Sequence, residues 1–206
     1  MRRFLLLAHR VPPSGAFTLN DLAGGAGRMD EVARAVSTAF TLSNDLRRDT
    51  EMTILFVAEP PPVARKIELV GARLRYLNPD ERSTAALLKN ALVRSVNFPR
   101  ELESSPGLRV GAADPATELA SFLARPGTVW LTESGHPLAA HAIPEEFGAV
   151  LSDPYDPTEA EVALLTGSGV PRLSAGPRSL RSSQVIDLVH SALDRAEAAR
   201  AGARGP

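Results

Sequence analysis

The sequence predicts an α/β fold built on a mostly parallel sheet, and three observations carry that prediction. Short apolar runs alternate with stretches whose apolar residues recur at helical spacing. The apolar runs are continuous, as strands buried on both faces require. Roughly the last eighty residues hold three strand-to-loop exits of the same syntax.

The elements follow in order. Arg3-Phe4-Leu5-Leu6-Leu7-Ala8 reads as a fully buried strand. Pro, Gly, Ser and Asn accumulate between Pro12 and Gly27, so a loop follows, and Gly24-Gly25-Ala26-Gly27 lets the backbone approach another surface. From Met29, the residues Met29, Val32, Ala33, Val36, Ala39 and Phe40 share one helical face, with Asp30, Glu31, Arg34, Ser37 and Thr41 on the other. Met52 to Ala58 reads as a strand stopped by Pro60-Pro61-Pro62, and Lys66 to Val70 as a shorter one ending at Gly71. Asn78-Pro79-Asp80-Glu81 opens a helix with Asn78 as cap and Ala85, Leu88, Leu92 and Val96 inward. Ser105-Pro106-Gly107 is a turn before a short strand at Leu108 to Val110, and Asp114-Pro115 starts a helix that Pro126-Gly127 ends.

The three exits come next. Thr128 to Thr132 is a strand leading into Glu133-Ser134-Gly135-His136, and Gly148 to Leu151 is one leading into Ser152-Asp153-Pro154. After a helix capped at Asp156, a strand at Val170 to Leu173 leads into Ser174-Ala175-Gly176-Pro177. A last helix runs from about Ser182 to Ala199 with Val185, Leu188, Val189 and Ala192 inward, and the tail Ala201 to Pro206 frays. No sequence period of a solenoid is present.

Composition narrows the chemistry. The 206 residues carry 23 basic and 24 acidic side chains, net −1, unevenly spread: residues 1 to 100 are net +5 and residues 101 to 206 net −6. A polyanion would therefore be met by a patch in the first half. With no cysteine, disulfides, thiolate metal sites and a cysteine nucleophile are excluded. The apolar run Phe4 to Ala8 is too short for a signal peptide or a bilayer span, so the expected location is the cytoplasm, with no membrane partner. His9, His136, His141 and His190 lack metal-ligand spacing, so no metal is expected, and His190 reads as a satisfied interior or interface histidine. No Gly-x-Ser-x-Gly elbow anchors a hydrolase triad.

In a parallel sheet, the three exits share the carboxyl edge, where such sheets bind small ligands, although most strand-to-helix loops bind nothing. They lack the glycine fingerprints of nucleotide loops. The densest charge flanks the first helix: Gly27-Arg28-Met29-Asp30 before it and Ser43-Asn44-Asp45-Leu46-Arg47-Arg48-Asp49 after it. This is either a solvated, mutually paired turn or an arginine pair held by carboxylates to grip phosphate or a base edge.

These residues carry a resemblance. GAGRMDEVARAVSTAFTLSNDLRRD, residues 25 to 49, with LNPDERSTAALLKNAL at 77 to 92, resembles the archaeal TrmY family of the SPOUT class, tRNA pseudouridine-54 N1-methyltransferases. The likeness runs collinearly from Met1 to about Asp194. It implies one domain over 1–206, with a basic, RNA-facing part (1–125) and a part threaded into a trefoil knot (126–200). It also implies a homodimer, a tRNA substrate and S-adenosylmethionine held at the knot loops.

The cofactor positions so implied are Leu131, Ser152, the stretch Leu173, Ser174, Ala175, Gly176, Pro177, Arg178, Ser179 and Leu180, and Val185. Asp30 is the candidate proton acceptor for pseudouridine N1 and Arg28 its partner, with Arg47, Arg48 and Asp49 on the RNA. The chain departs from the family pattern at the cofactor end: Ser152 replaces a glycine, Ala175-Gly176-Pro177-Arg178 a Ser-Pro-Leu type loop, and Ser183-Gln184-Val185 an Asn-His-Cys run. Two other readings are an RNA-binding homologue without methyl transfer, and an enzyme acting on pseudouridine in another RNA.

Overall fold

Arg2–Ala8 forms strand β1, and all of its residues are buried because it runs parallel between Thr50–Phe56 (β2) and Phe147–Ser152 (β7). Side chains alternate across a pleated strand, so Phe4, Leu6 and Ala8 enter one apolar core while Leu5 and Leu7 enter a second. Burying each large side chain contributes about 2 kcal/mol, so an unbroken apolar run stabilises both faces at once. The computed structural model describes residues 1–57, 64–98 and 100–203. Pro60-Pro61-Pro62, the end of the expected strand at Ala58 and the last three residues of the tail lie outside them.

The sheet is completed by Arg65–Val70 (β3), Leu102–Ser105 (β4), Leu108–Ala112 (β5), Thr128–Pro137 (β6) and Arg172–Ser174 (β8), in the order β4-β5-β3-β2-β1-β7-β6-β8. β2, β1, β7, β6 and β8 are mutually parallel, and β3, β5 and β4 form an antiparallel wing. The connection 57–64 is too short for a parallel crossover, so β3 must turn back. Helices Met29–Phe40 (α1), Glu81–Ser95 (α2) and Ser182–Ala203 (α5) cover the Phe4 face. Pro115–Leu123 (α3) and Glu159–Gly167 (α4) cover the other. No helix among the described residues is long and apolar enough to cross a membrane.

Several expectations are corrected. The polar face assigned to α1 is not solvated: Asp30, Glu31 and Ser37 are buried, because α1 is flanked by α2 and α5 as well as the sheet. The cap of α2 is Asp80, which accepts from Ser83 N–H at 2.8 Å, and its charge suits the helix N-terminus better than the amide of Asn78. α4 is capped by Thr158 in a reciprocal box with Glu161, not by Asp156. Val96 is exposed at the end of α2, and Ser95 fills the inward position. The inward face of α5 is Ile186, Val189, His190 and Leu193; Leu188 faces out and Ala192 is half-buried. A count of apolar residues skips His190 and so rotates that face. α5 also continues to Ala203 instead of fraying at Ala201. β4 was not expected, since a four-residue edge strand with the sequence LESS has little apolar alternation.

β6 does not end at Thr132. Leu131 and His136 both pair with Leu173, so the segment between them bulges away from β8 and returns to it. Gly135 passes so close that a Cβ there would lie 2.4 Å from the Leu173 carbonyl carbon. Backbone cannot yield as a flexible side chain can. Gly135→Ala is therefore expected to destabilise the protein by about 3 kcal/mol, lowering the melting temperature by roughly 6–12 °C. An unchanged melting curve would contradict this crossing.

Candidate functional site

Parallel strands end at a common edge, and at the carboxyl edge of this sheet the start of the β6 bulge and the exits of β7 and β8 surround a cavity of about 410 Å³. Leu131, Ser152, Ser174, Ala175, Gly176, Arg178, Ser179, Leu180 and Val185, which the resemblance implies as cofactor positions, line it. Leu173 and Pro177 do not: Leu173 is turned into the core below. Trp130, Glu133, Leu151, Asp153, Tyr155 and Asp156 complete the wall, together with Arg28 and Glu31 from the start of α1. The lining is mainly polar and charged, with Trp130, Leu131, Leu151, Leu180 and Val185 as its apolar part, so a ligand here would be held by hydrogen bonds and charge as well as by apolar contact.

Arg28 reaches the cavity through a strained backbone. Gly27 and Arg28 both adopt left-handed conformations, with φ of 63° and 68°, and Arg28 is the non-glycine residue at positive φ among those described. Gly27 is required, because a Cβ would lie 2.0 Å from the Arg10 carbonyl oxygen. For Arg28 this conformation costs about 1–2 kcal/mol. Such strain persists where the surroundings fix it, and here carboxylates do so. Arg28 donates to both oxygens of Asp30 at 3.0 Å and to Glu31 at 2.8 Å.

Arg34 donates to the same two carboxylates, and to Glu81 at 3.0 Å. Burial opposes ionisation of Asp30, but the Arg28 hydrogen bonds and the charges of Arg28 and Arg34 outweigh it and hold its pKa below the usual range. Asp30 is 7% exposed and lies behind the cavity wall. Both of its oxygens are engaged by arginines, which lowers its basicity and anchors the two guanidinium groups.

Short hydrogen bonds stiffen the loops. The Ser152 hydroxyl, where the family pattern has glycine, donates to the Tyr155 carbonyl at 2.5 Å, within its own loop. Ser182 donates to the Ser152 carbonyl at 2.5 Å, Ser174 to the Gly176 carbonyl at 2.6 Å, and Ser179 to Glu133 at 2.8 Å. Sequence reasoning placed Asp153 in the loop after β7 but missed its pairing with His9. His9 Nδ1 lies 2.8 Å from Asp153, whose side chain is buried against it at the exit of β7. The available signal was position, since His9 directly follows the most buried strand and so must stand at the carboxyl edge.

Arg47, Arg48 and Asp49 are not brought to this cavity. In a strand-helix-strand unit, the helix runs back along the sheet, so the residues before α1 sit at one edge and those before β2 at the other. β1 spans about 20 Å between the two edges. At the far edge Arg47 pairs with both oxygens of Asp194 (3.0 and 2.8 Å), and Asp49 pairs with Arg2 at 2.9 Å. Arg48 donates to the Gly71 and Leu74 carbonyls and to Asp45. The charged residues flanking α1 are thus two separate groups. Arg48, Arg73 and Arg75 line an open groove at this far edge. Among the described residues no group of three or more His, Asp or Glu could hold a metal.

Comparison with known proteins follows the same outline. Residues 1–198 match a family described as "Putative SAM-dependent RNA methyltransferase". The chain is 41% identical over 203 residues to a protein of Methanosarcina acetivorans, covering 97% of this chain and 94% of that one. It is 38% identical over 196 residues to a protein of Methanocella arvoryzae, covering 95% and 100%. To a protein of Haloferax volcanii it is 37% identical over 198 residues, covering 95% and 98%. Each relative is named tRNA (pseudouridine(54)-N(1))-methyltransferase. The fold is similar to that of Archaeoglobus fulgidus Nep1, solved bound to S-adenosylhomocysteine, with a TM-score of 0.61 and 13% identity over 96% of this chain and 98% of that one.

The interior histidine gives a prediction. His190 is 3% exposed, donates Nε2–H to the Ala39 carbonyl (3.1 Å) and accepts at Nδ1 from Arg2 (3.2 Å). Burial, followed by the charges of Arg47 and Arg2, lowers its pKa to about 4. A group whose pKa falls on folding stabilises above its unfolded value and loses that contribution as pH falls through the folded one. Unfolding free energy from urea titrations is expected to drop by about 3 kcal/mol between pH 6.5 and 4 on account of this residue. His190→Gln should remove that part of the acid limb; an identical limb in the variant would refute the assignment.

Proposed function

This chain belongs to that RNA methyltransferase family, and we propose that it transfers a methyl group from S-adenosylmethionine to N1 of pseudouridine 54 in the tRNA T-loop. The observation that carries the reading is the convergence on one cavity of the bulging stretch Trp130 to Glu133 of β6, the loops after β7 and β8, and Arg28 from the start of α1. The cavity suits the donor in size, and Leu131, Leu151, Leu180 and Val185 supply apolar wall beside rigid loop backbone. S-Adenosylmethionine, when bound, supplies an electrophilic methyl group on a positively charged sulfur.

The chain's own residues hold and polarise. Pseudouridine N1 becomes nucleophilic as its proton leaves, and negative charge develops on the ring. Arg28 is assigned to meet that charge; Asp30 fixes the guanidinium, with Glu31 and Arg34 closing the set. The N1 proton leaves to solvent. Positioning provides most of the rate in such a reaction. No thiol takes part, since the chain has none.

The finer architecture belongs to the same proposal. The chain acts as a single knotted domain and as a homodimer, in the cytoplasm. The double pairing of Leu173 with Leu131 and His136 supports a trefoil knot, with β8 embraced by the returning part of β6. Exposed Leu188 on α5 supports a contact between subunits. Arg48, together with Arg73 and Arg75, is assigned to outlying RNA phosphates, whereas Arg47 pairs with Asp194 in the middle of α5 and Asp49 with Arg2 at the start of β1.

Purified protein with S-adenosylmethionine is expected to methylate tRNA carrying pseudouridine 54 and not the same tRNA carrying uridine there, as read by nucleoside mass spectrometry. No product on the pseudouridine substrate would overturn the proposal. Asp30→Asn keeps the shape but loosens Arg28, so kcat should fall about 100-fold while KM for the donor changes little. Wild-type turnover in that variant would remove Asp30 from the machinery.

A further inference from the structure

Two consecutive residues at the exit of β1, His9 and Arg10, grip the loop that follows β7. Asp153 belongs to the cavity wall, yet its side chain is 1% exposed. One of its oxygens accepts from the His9 backbone N–H at 2.7 Å, and the other from His9 Nδ1 at 2.8 Å and from the Tyr155 N–H at 3.1 Å. The opposite ring nitrogen, Nε2, lies 3.0 Å from Glu161 Oε2. That same oxygen accepts from the Thr158 N–H at 2.7 Å and closes the box that starts α4.

Both ring nitrogens therefore face carboxylate oxygens, which when ionised can only accept. The arrangement is satisfied only if the ring carries two N–H groups and a positive charge. A neutral ring would set an unprotonated nitrogen against a carboxylate oxygen in one of the two contacts, acceptor facing acceptor, although each carboxylate keeps its backbone donors. Arg10 adds a second grip, its guanidinium lying 3.9 Å from the centre of the Tyr155 ring.

We propose that His9, as an imidazolium, is a positioning residue of the methyl-donor pocket, fixing the loop from Ser152 to Asp156 onto β1 and α4 before the donor arrives. The inference rests on the reading of this cavity as the donor site. The charged groups around His9 are Asp153 from the β7 exit, Glu161 from α4 and Arg10 from its own strand exit, with Arg28 of α1 beyond Tyr155. Burial opposes the charge on His9, but its bonds to Asp153 and Glu161 outweigh burial and raise its pKa to about 9. The grip is thus complete below the ordinary histidine range and is lost as pH rises through 9.

Calorimetric titration with S-adenosylhomocysteine, comparing wild type with His9→Gln between pH 7 and 10, tests this. The ligand's own ammonium titrates in both proteins, so the difference between the two profiles is the readout. Wild type is expected to bind more tightly at pH 7.5 and to lose about tenfold of that advantage by pH 10. In turnover, the variant should raise KM for the donor and leave kcat at saturation nearly unchanged. Equal affinity and equal profiles would overturn the role of His9 alone. Absence of binding by wild type at pH 7.5 would overturn the donor-site reading and this inference with it. Should the variant not fold, nitrogen NMR of the wild-type ring at pH 7.5 decides: two protonated nitrogens are expected, and a neutral tautomer refutes the proposal.

Discussion

The parallel register of β1 with its two neighbours is the constraint on which the rest of the structure depends. It sets Ala8 beside Phe56 and Leu7 beside Ser152, so the chain leaves β1 and β7 at the same edge. β6 and β8, parallel to β7 and to each other, bring their exits there too. A cavity bounded by three loops is the result of strand direction before it is the result of any particular loop residue. The same register sends α1 back along the sheet, so its first turn stands at the cavity and its far end at the opposite edge.

Charge is arranged to suit that geometry. Asp30 and Glu31 lie in the first turn of α1, where the helix favours negative charge, and both are buried. Buried carboxylates need partners, and Arg28 and Arg34 supply them. The reciprocal consequence is that Arg28 is held in one place despite its unfavourable backbone angle. Arg181, from the loop before α5, approaches Glu31 at 3.7 Å and links the carboxylate pair to the third cavity loop. The carboxylates thus hold both arginines, and of the two Arg28 stands in the cavity wall.

Much of this was legible in the sequence. The Leu5-Leu6-Leu7 run encoded a strand buried on both faces, and the repeated strand-to-loop syntax contained Glu133, Ser152, Asp153, Pro154, Ser174, Ala175 and Gly176 of the cavity lining, whereas Arg178, Ser179, Leu180 and Val185 came only from the resemblance. What could not be read was distance across the fold. Arg28 and Arg47 flank one helix, and only the direction of that helix against the sheet separates their surroundings. Helix caps failed where two capping residues lie close together, as at Asn78 and Asp80. The inward face of α5 failed because a histidine occupies a core position. His9 carried no motif at all; its significance comes from Asp153 and Glu161, more than 140 residues away in sequence.

The central claim is that the bulging stretch of β6 and the loops after β7 and β8 hold the methyl donor with its reactive end toward Arg28. A crystal structure determined with S-adenosylhomocysteine tests it most directly. The account predicts ligand density between Leu131, Ser152 and Leu180, with the sulfur on the Arg28 side. Density at another surface, or these loops closed on their own side chains in the presence of saturating ligand, would contradict it.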